Sequence, residues 1–396
     1  MTKATATIFA IVVLDLIGAG ILFPILPFYV REYRTDALTV GLMALAFSAA
    51  QFLAGPVLGV LSDRYGRRPV LLASIFGSAV GYVLFGIGGS LTILFLARIL
   101  DGFTGGNIST AQSYLADVTP PAERAKAFGL IGAAWGIGFV LGPIMAGVLS
   151  RWGLAGPAYG AAAFSMLTFI AATFFLPESL ATEKRKAGGF AWSELNPFTP
   201  IAWGFRHPRV NLLLVAAFVF NFPFTGLMTN FSLFTHDRFG LGPQENALLF
   251  TALGLMIAIL QGFVIRRAIP NFGRGVHADI GMVLMVGGFL VVAFAPHWYW
   301  MFAANGLLAI GSALVGPTLT AMLSRGVTEQ EQGTAMGVSQ AVASLTRIFG
   351  PVWAGLLYDH VGRGAPYWAG AVWFVAALFI MRAAVRRLDD GVLRSG

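Results

Sequence analysis

Apolar residues occur along this chain in long continuous runs that are separated by short polar breaks. Each run has about 20 residues, which is long enough to cross about 30 Å of hydrocarbon as an α-helix. Membrane β-strands would alternate between apolar and polar positions, and these runs do not alternate. The pattern therefore predicts twelve membrane-spanning helices, here called spans 1 to 12, near residues 5–27, 38–62, 69–88, 91–116, 124–150, 156–177, 210–235, 245–265, 276–295, 298–324, 331–358 and 365–384.

The composition supports an integral membrane protein. Of the 396 residues, 57% are hydrophobic and 11% are charged, whereas about 25% of the residues in a typical soluble domain are charged. The chain has no cysteine, which excludes disulfides and thiol chemistry.

The 26 lysines and arginines are distributed unevenly over the predicted loops. Nineteen lie on the side shared by both termini and the loop 59–68, and five lie on the opposite side. Because cytoplasmic loops carry the excess of cations, this bias predicts that both termini are cytoplasmic. The net charge is +8, but the basic residues are scattered over short loops, so nucleic-acid binding is not expected.

The chain divides into two halves. The only long polar stretch begins near Pro177 and ends near Pro208. We therefore predict a six-helix bundle at 1–177, a cytoplasmic linker at 178–208 and a second six-helix bundle at 209–396.

An internal repeat relates these halves. The segment 142–147 (GPIMAG) aligns with 350–355 (GPVWAG), and 127–129 (AFG) aligns with 335–337 (AMG), always at an offset of 208 residues. Span 5 thus corresponds to span 11. This implies an all-α membrane protein made of two pseudo-symmetric bundles, related by an axis along the membrane normal.

The loop between spans 2 and 3 follows the pattern G-x-L-x-D-R-x-G-R-R at every fixed position. A loop that only orients two helices needs its cations, but not the glycines Gly59 and Gly66 or the acid Asp63. The remaining charged residues of the pattern are Arg64, Arg67 and Arg68.

Glycine and proline recur at fixed intervals in three spans. Span 1 follows the pattern D-x-x-G-x-G-x-x-x-P-x-x-P from Asp15, and span 2 has Gln51-Phe52-Leu53 before Gly55-Pro56. The pattern in span 5 consists of Gly129, Gly138, Gly142, Pro143 and Gly147. Small residues at such intervals let a neighbouring backbone approach closely, and a proline bends its helix. Ordinary helix packing is one explanation of the span 5 pattern.

Together these segments resemble the major facilitator superfamily over essentially the full chain, and more closely its twelve-helix drug/proton antiporters, including the tetracycline efflux proteins. The resemblance associates the span 5 pattern with export, although Ala146 stands where that pattern usually has glycine. It also implies a latch that closes the cytoplasmic side. In this latch Asp63 meets the start of span 11 near Glu331, and Arg67 and Arg68 reach Asp117.

Four ionisable residues lie well inside predicted spans, where burial of a charge costs at least about 2.5 kcal/mol: Asp15, Arg98, Asp101 and Arg347. Arg98 and Asp101 are three residues apart, so they share a helix face and can form an ion pair. Arg98 with Gly102 resembles the family signature R-x-x-x-G, which is associated with proton coupling. A static pair that fixes helix packing is the alternative.

Asp15 is a candidate proton carrier, because a carboxylate in a low dielectric binds a proton readily. It is the only ionisable residue of span 1, and a role as the counter-ion of Arg98 or Arg347 from another span is equally open. Asp279 lies near the start of span 9, where the helix dipole favours an acid. We expect it to cap that helix.

Polar and aromatic residues near the middle of the spans are candidates for substrate binding: Gln51, Asn107, Asn221, Phe224, Asn230, Gln340 and Arg347. The few charges and the 34 phenylalanines favour an amphipathic substrate.

The expected function is the export of a small drug-like compound, such as tetracycline or a range of drugs, by proton antiport in a bacterial inner membrane. A symporter, or a lipid or metabolite transporter of the same fold, is the main alternative, and a membrane sensor is another. No enzyme activity, cofactor or metal site is expected, because the chain has no G-x-x-x-x-G-K-[ST] motif and no histidine cluster. The energy source would be a proton gradient, and we expect a monomer.

Overall fold

The computed structural model describes residues 3–105, 107–120, 123–186, 195–260, 274–328 and 331–393. Throughout these ranges the regular structure is helical, without a strand. The α-helices, in chain order, are α1 (Lys3–Leu22), α2 (Leu26–Arg31), α3 (Ala37–Tyr65), α4 (Arg67–Ile87), α5 (Leu91–Thr104), α6 (Asn107–Val118), α7 (Arg124–Leu149), α8 (Ala155–Phe175), α9 (Thr199–Arg206), α10 (Asn211–Phe239), α11 (Pro243–Ile259), α12 (Arg274–Phe294), α13 (Trp300–Arg325), α14 (Gln332–His360) and α15 (Ala365–Leu393). Two short 3₁₀ turns lie at Ser150–Trp152 and Thr182–Lys184.

Eleven helical segments in the described part of the chain are long and apolar enough to cross a membrane. The apolar helix α11 is shorter and ends next to residues 261–273, which lie outside the described residues. These twelve segments match the twelve predicted spans. Span 1 is interrupted: α1 and α2 together form it, with Pro24 in the break, where a proline removes a backbone donor. Helices α5 and α6 together form span 4, and residue 106 between them lies outside the described residues.

The chain forms two compact units. Unit 1 comprises Met1–Thr35, Met43–Pro197 and Leu241–Thr251, and unit 2 comprises Asp36–Leu42, Phe198–Gly240 and Ala252–Gly396. Each unit therefore includes a short piece from the other half of the sequence. The predicted boundaries at 177 and 208 remain predictions.

In unit 1, α1 and α7 approach each other backbone to backbone. A Cβ at Gly142 would lie 2.6 Å from the carbonyl carbon of Gly20, and a Cβ at Gly138 would lie 2.8 Å from the carbonyl oxygen of Leu16. Only glycine fits at such distances. These contacts are the packing that small residues make possible between membrane helices, and they fix where α1 presents Asp15.

In unit 2, α10 and α14 approach each other in the same way. A Cβ at Gly350 would lie 2.6 Å from the carbonyl oxygen of Phe222, and a Cβ at Gly226 would lie 3.0 Å from the carbonyl oxygen of Gly350. Gly350 is the repeat partner of Gly142 at the 208-residue offset. The sequence repeat therefore coincides with a repeated mode of helix packing, α7 on α1 and α14 on α10.

The first turn of α3 is capped by two aspartates. Asp36 Oδ2 accepts a hydrogen bond of 2.9 Å from the N–H of Thr39. The carboxylate of Asp359, at the end of α14, accepts from the N–H groups of Ala37 and Leu38 at 2.9 and 2.8 Å. All these residues belong to unit 2. Since α3 continues into unit 1, this single helix is shared by both units.

The glycines of α7 differ in what surrounds them, and this difference predicts opposite effects of alanine. Gly142→Ala should destabilise the protein by about 1–3 kcal/mol, because its Cβ would overlap the backbone of α1. Gly132→Ala should be neutral or stabilise by about 0.5–1 kcal/mol, since a Cβ there would meet no atom within 4 Å. Thermal unfolding of both variants in detergent measures this. Equal shifts of the two Tm values would contradict the close packing of α7 on α1.

Candidate functional site

Arg98 and Asp101 form the ion pair that their spacing predicts. Arg98 Nη1 lies 2.7 Å from Asp101 Oδ2, and the exposed fractions of the two side chains are only 11% and 4%. The guanidinium carbon of Arg98 also lies 4.1 Å from the centroid of the Phe47 ring, a cation–π contact. The charge of Arg98 is thus held between a carboxylate and an aromatic face.

Two hydroxyl residues of α4, Ser78 and Tyr82, lie near the carboxylate of Asp101. The hydroxyl of Ser78 forms a hydrogen bond of 3.1 Å with the hydroxyl of Thr104. Gly81 lets the two helices approach, since a Cβ there would lie 3.1 Å from the Cβ of Asp101. The sequence analysis did not identify Ser78 or Tyr82. The sequence does contain a pattern that could have identified them: two hydroxyl residues stand one helical turn apart in an apolar run, and each follows a glycine.

Tyr82 connects this pair with Asp15 electrostatically. The buried Tyr82 side chain lies close enough to both Asp101 and Asp15 to be influenced by their charges. Asp15 is partly buried and lines a narrow apolar cavity with Ile11 and Ile75. Three helices of unit 1, α1, α4 and α5, therefore place a carboxylate, a phenol and a second carboxylate near one another.

Helix α5 ends at Thr104, three residues after Asp101. The N–H of Gly105 donates to the carbonyl oxygen of Asp101 at 2.6 Å, and the side-chain amide of Gln51 donates to the carbonyl oxygen of Gly105 at 3.0 Å. Gln51, a predicted substrate residue, thus supports the end of α5.

The loop between α3 and α4 turns at Gly66, whose φ is +104°. A Cβ at Gly66 would also overlap the carboxylate of Glu178. That carboxylate caps α4, since it accepts hydrogen bonds from the N–H groups of Arg67 and Arg68 at 2.9 and 3.2 Å. The sequence analysis missed Glu178. The sequence feature that could have identified Glu178 is its position: it is an acid immediately after span 6, on the side of the membrane where cations predominate.

Arg67 is the central cation of this loop. It contacts Asp63 at 2.6 Å, Asp117 at 3.1 Å and the hydroxyl of Ser62 at 2.6 Å. Its side chain is 9% exposed. Lys186 adds a second cation near Asp63, with its Nζ 3.5 Å from the carboxylate. These four residues belong to unit 1 together with Lys186.

Arg68 corrects one expectation. Its Nη2 donates to the carbonyl oxygen of Thr173 at 2.6 Å, so Arg67 alone of the two arginines makes the expected contact with Asp117.

The carbonyl oxygen of Gly59 accepts a hydrogen bond from Ser62 Oγ at 2.8 Å. A Cβ at Gly59 would meet no atom within 4 Å, so close packing does not explain this glycine.

Glu331, the expected meeting point of Asp63, lies in unit 2 immediately before α14. Its carboxylate accepts hydrogen bonds from the N–H and hydroxyl of Thr328 at 3.1 and 2.9 Å. The N–H of Thr328 and then its hydroxyl lower the pKa of Glu331 below its ordinary value. The contact between Asp63 and the start of span 11 remains a prediction.

The predicted acid cap of span 9 is wrong. Helix α12 begins at Arg274, which places Asp279 in the second helical turn. Asp279 Oδ2 instead lies 2.9 Å from Nε of Arg382 on α15. The expectation failed because the helix begins before residue 276 and a cation on another helix compensates the acid.

The span 5 glycines do not share one environment. Gly138 and Gly142 pack on α1, as described above, and a Cβ at Gly147 would lie 3.0 Å from the Cβ of Ala247 in the same unit. Gly129 faces open space. Pro143 lies inside α7.

The other predicted substrate residues are dispersed. Asn221 donates to the carbonyl oxygen of Ala217 in its own helix at 2.8 Å, and Phe224 is partly buried. Asn230 is fully buried, and among the described residues neither of its side-chain amide atoms has a hydrogen-bond partner. Gln340 is exposed on α14. The side chain of Asn107 lies outside the described residues.

Arg347 lies on the same helix as Gln340. Its Nη2 donates to the hydroxyl of Ser344 at 2.8 Å. Within the described residues no carboxylate lies within ion-pair distance of it.

Removal of the Glu178 carboxylate should weaken the start of α4. Glu178→Ala leaves the N–H groups of Arg67 and Arg68 without their acceptor, and loss of such a cap costs about 1 kcal/mol. Thermal unfolding in detergent should show a lower Tm. Glu183→Ala is the matched control, since Glu183 lies five residues further along in an exposed 3₁₀ turn. A control that lowers the Tm equally would contradict the capping role.

Comparisons with known proteins agree with the resemblance read from the sequence. The tetracycline resistance protein of class C from Escherichia coli is 34% identical over 383 residues, which is 96% of this chain and 95% of that protein. Multidrug resistance protein 2 of Bacillus subtilis (strain 168) is 28% identical over 346 residues, 87% of this chain and 86% of that protein.

Among solved structures, the crystal structure of the human organic anion transporter MFSD10 (TETRAN) superposes with a TM-score of 0.73 at 26% identity. It covers 96% of this chain and 99% of the human chain. The family profile described as Major Facilitator Superfamily matches residues 8–278 and 271–392. Both the predicted family and the predicted all-helical membrane fold are thereby confirmed, and the chain belongs to the major facilitator superfamily.

Proposed function

We propose that this protein is a proton-coupled antiporter that exports a small amphipathic compound by alternating access. Relatives that match nearly the whole chain are named as tetracycline and multidrug resistance proteins, which supports drug export. The observation that carries the proton coupling is the group formed by Asp15, Tyr82, Asp101 and Arg98 in unit 1.

Protonation of Asp101 would change the forces on α5. An ionised Asp101 is stabilised by its ion pair with Arg98 and has the hydroxyl groups of Ser78 and Tyr82 nearby. A bound proton removes the negative charge, and Arg98 is then left in a low-dielectric span with only the Phe47 ring against it, which is costly. Proton binding therefore favours a rearrangement of Arg98, and this rearrangement couples the proton to helix movement.

Asp15 is the second proton site of the proposal. The phenol of Tyr82 can donate and accept a hydrogen bond, so it is suited to pass a proton between Asp15 and Asp101. Asp15 lies on the helix that packs directly on α7, the helix with the export-associated pattern. A change of charge at Asp15 thus acts on a closely packed helix pair.

The charged loop at 59–68 has the mechanical role in this proposal. Arg67 connects α3, α4 and the end of α6 through Asp63 and Asp117, so the loop moves as one body. We assign it to the cytoplasmic side, with both termini, in a bacterial inner membrane. The protein would work as a monomer, and the halves 1–177 and 209–396 would rock about a central site.

The test uses purified protein in liposomes with an imposed pH gradient and an internal pH dye. Addition of tetracycline should move protons in the direction opposite to the drug. Asp15→Asn and Asp101→Asn should each abolish this substrate-dependent proton movement, and Tyr82→Phe should slow it. Glu245→Gln is the control, because this acid accepts from Gly242 in an exposed loop, and it should behave like the unmodified protein.

Two results would overturn the proposal. Proton movement in the same direction as the drug would indicate a symporter. Drug flux that ignores the pH gradient would exclude proton coupling and would redirect the search to a lipid or metabolite carrier.

A further inference from the structure

Helix α14 carries a continuous polar face. Gln340, Ser344 and Arg347 follow at intervals of four and three residues, which places them on one side of an α-helix. Ser344 joins the three, because its hydroxyl donates to the carbonyl oxygen of Gln340 at 3.0 Å and accepts from Arg347 at 2.8 Å. We call these three residues the polar face of α14.

The same side of the helix is open toward its start. Gly333 and Gly337 continue the spacing by two more turns, and a Cβ at either position would meet no atom of the described residues within 4 Å. Gln340 itself is exposed. A polar face that the described chain leaves uncovered is unfavourable against lipid, and polar residues inside spans usually face a water-filled cavity or a transport pathway.

The repeat shows that this polarity is not needed for packing. At the 208-residue offset, Gln340, Ser344 and Arg347 correspond to Gly132, Gly136 and Phe139 of α7. The packing glycines Gly142 and Gly350 are the same in both copies, and both make close backbone contacts. The two copies therefore share the packing side of the helix, and at these three positions only α14 carries hydrogen-bonding side chains.

Arg347 differs from three other arginines that lie within or beside the spans. Arg98, Arg67 and Arg382 each have a carboxylate within 3.1 Å. Arg347 makes its hydrogen bond to Ser344, and no carboxylate of the described residues lies within ion-pair distance. A guanidinium offers five N–H donors, so most of its hydrogen-bonding capacity remains available for an oxygen-rich group.

We infer that the polar face of α14 binds the anionic oxygen group of the transported compound, with Arg347 as its counter-ion. The inference rests on the proposed export function and specifies its substrate class, an amphipathic molecule that carries a carboxylate or a similar planar oxyanion. A planar guanidinium matches such a group through two parallel hydrogen bonds. Gln340 and Ser344 supply neutral polar partners beside it.

Equilibrium binding of two matched fluorescent probes tests this inference. Dansylglycine carries a carboxylate, and dansylglycinamide has the same aromatic body with a neutral amide in its place. Titration of each probe into detergent-purified protein gives the two Kd values. The unmodified protein should bind dansylglycine at least about tenfold more tightly, since a hydrogen bond between two charged groups is stronger than one to a neutral amide.

Three variants locate the effect. Arg347→Gln should remove the preference, so that the two Kd values agree within about twofold. Arg347→Lys keeps the charge but not the two-pronged geometry and should retain part of the preference. Arg382→Gln is the control, because it removes the same charge from an arginine that pairs with Asp279, and it should keep the preference. Thermal unfolding shows whether each variant is folded, and Arg347→Lys carries the test if Arg347→Gln is not.

Equal affinity of the unmodified protein for the two probes, or binding of neither, would overturn the inference. A preference that survives in folded Arg347→Gln would also overturn it, as would loss of the preference in Arg382→Gln. Because no gradient is applied, these results are independent of proton coupling. A failure of antiport in liposomes would leave the probe preference unchanged.

Discussion

A charge inside a membrane span must be compensated, because hydrocarbon offers it no water. This constraint organises both charged groups of unit 1. Asp101 forms an ion pair with Arg98, and Arg67 forms ion pairs with Asp63 and Asp117. Arg98 would lose its carboxylate partner if Asp101 took up a proton, and Arg67 would lose one of its two partners if Asp63 or Asp117 moved away. The charges are therefore suited to switching, since a small local change shifts a large electrostatic energy.

Close helix packing provides the rigid frame on which such a switch can act. Two helix pairs, α1 with α7 and α10 with α14, approach to distances that exclude any side chain at Gly142 or Gly350. Because the backbones are in direct contact, a displacement of one helix moves its partner as well. The same pairing occurs in both copies of the repeat, whereas the chemistry differs: Asp15 lies in the first copy, and the polar face of α14 lies in the second.

The sequence predicted what depends on local spacing. Continuous apolar runs gave the spans, the three-residue interval gave the Arg98–Asp101 pair, and the small-residue pattern gave the packing of Gly138 and Gly142. It could not show contacts between residues far apart in the chain. Glu178 caps a helix more than 100 residues earlier, and Tyr82 reaches Asp101 from another span. Asp279 was misassigned for the same reason, because its partner Arg382 lies on a distant helix.

The hydrogen bonds at the start of α3 can be used to monitor a conformational change of the protein. The first three backbone N–H groups of this helix that need acceptors are satisfied by two aspartates, one local and one more than 300 residues away. Any state in which the first turn of α3 leaves Asp359 removes the acceptor of the amides of Ala37 and Leu38. Deuterium uptake at those two amides would therefore report the opening of that contact without a fluorophore or a mutation.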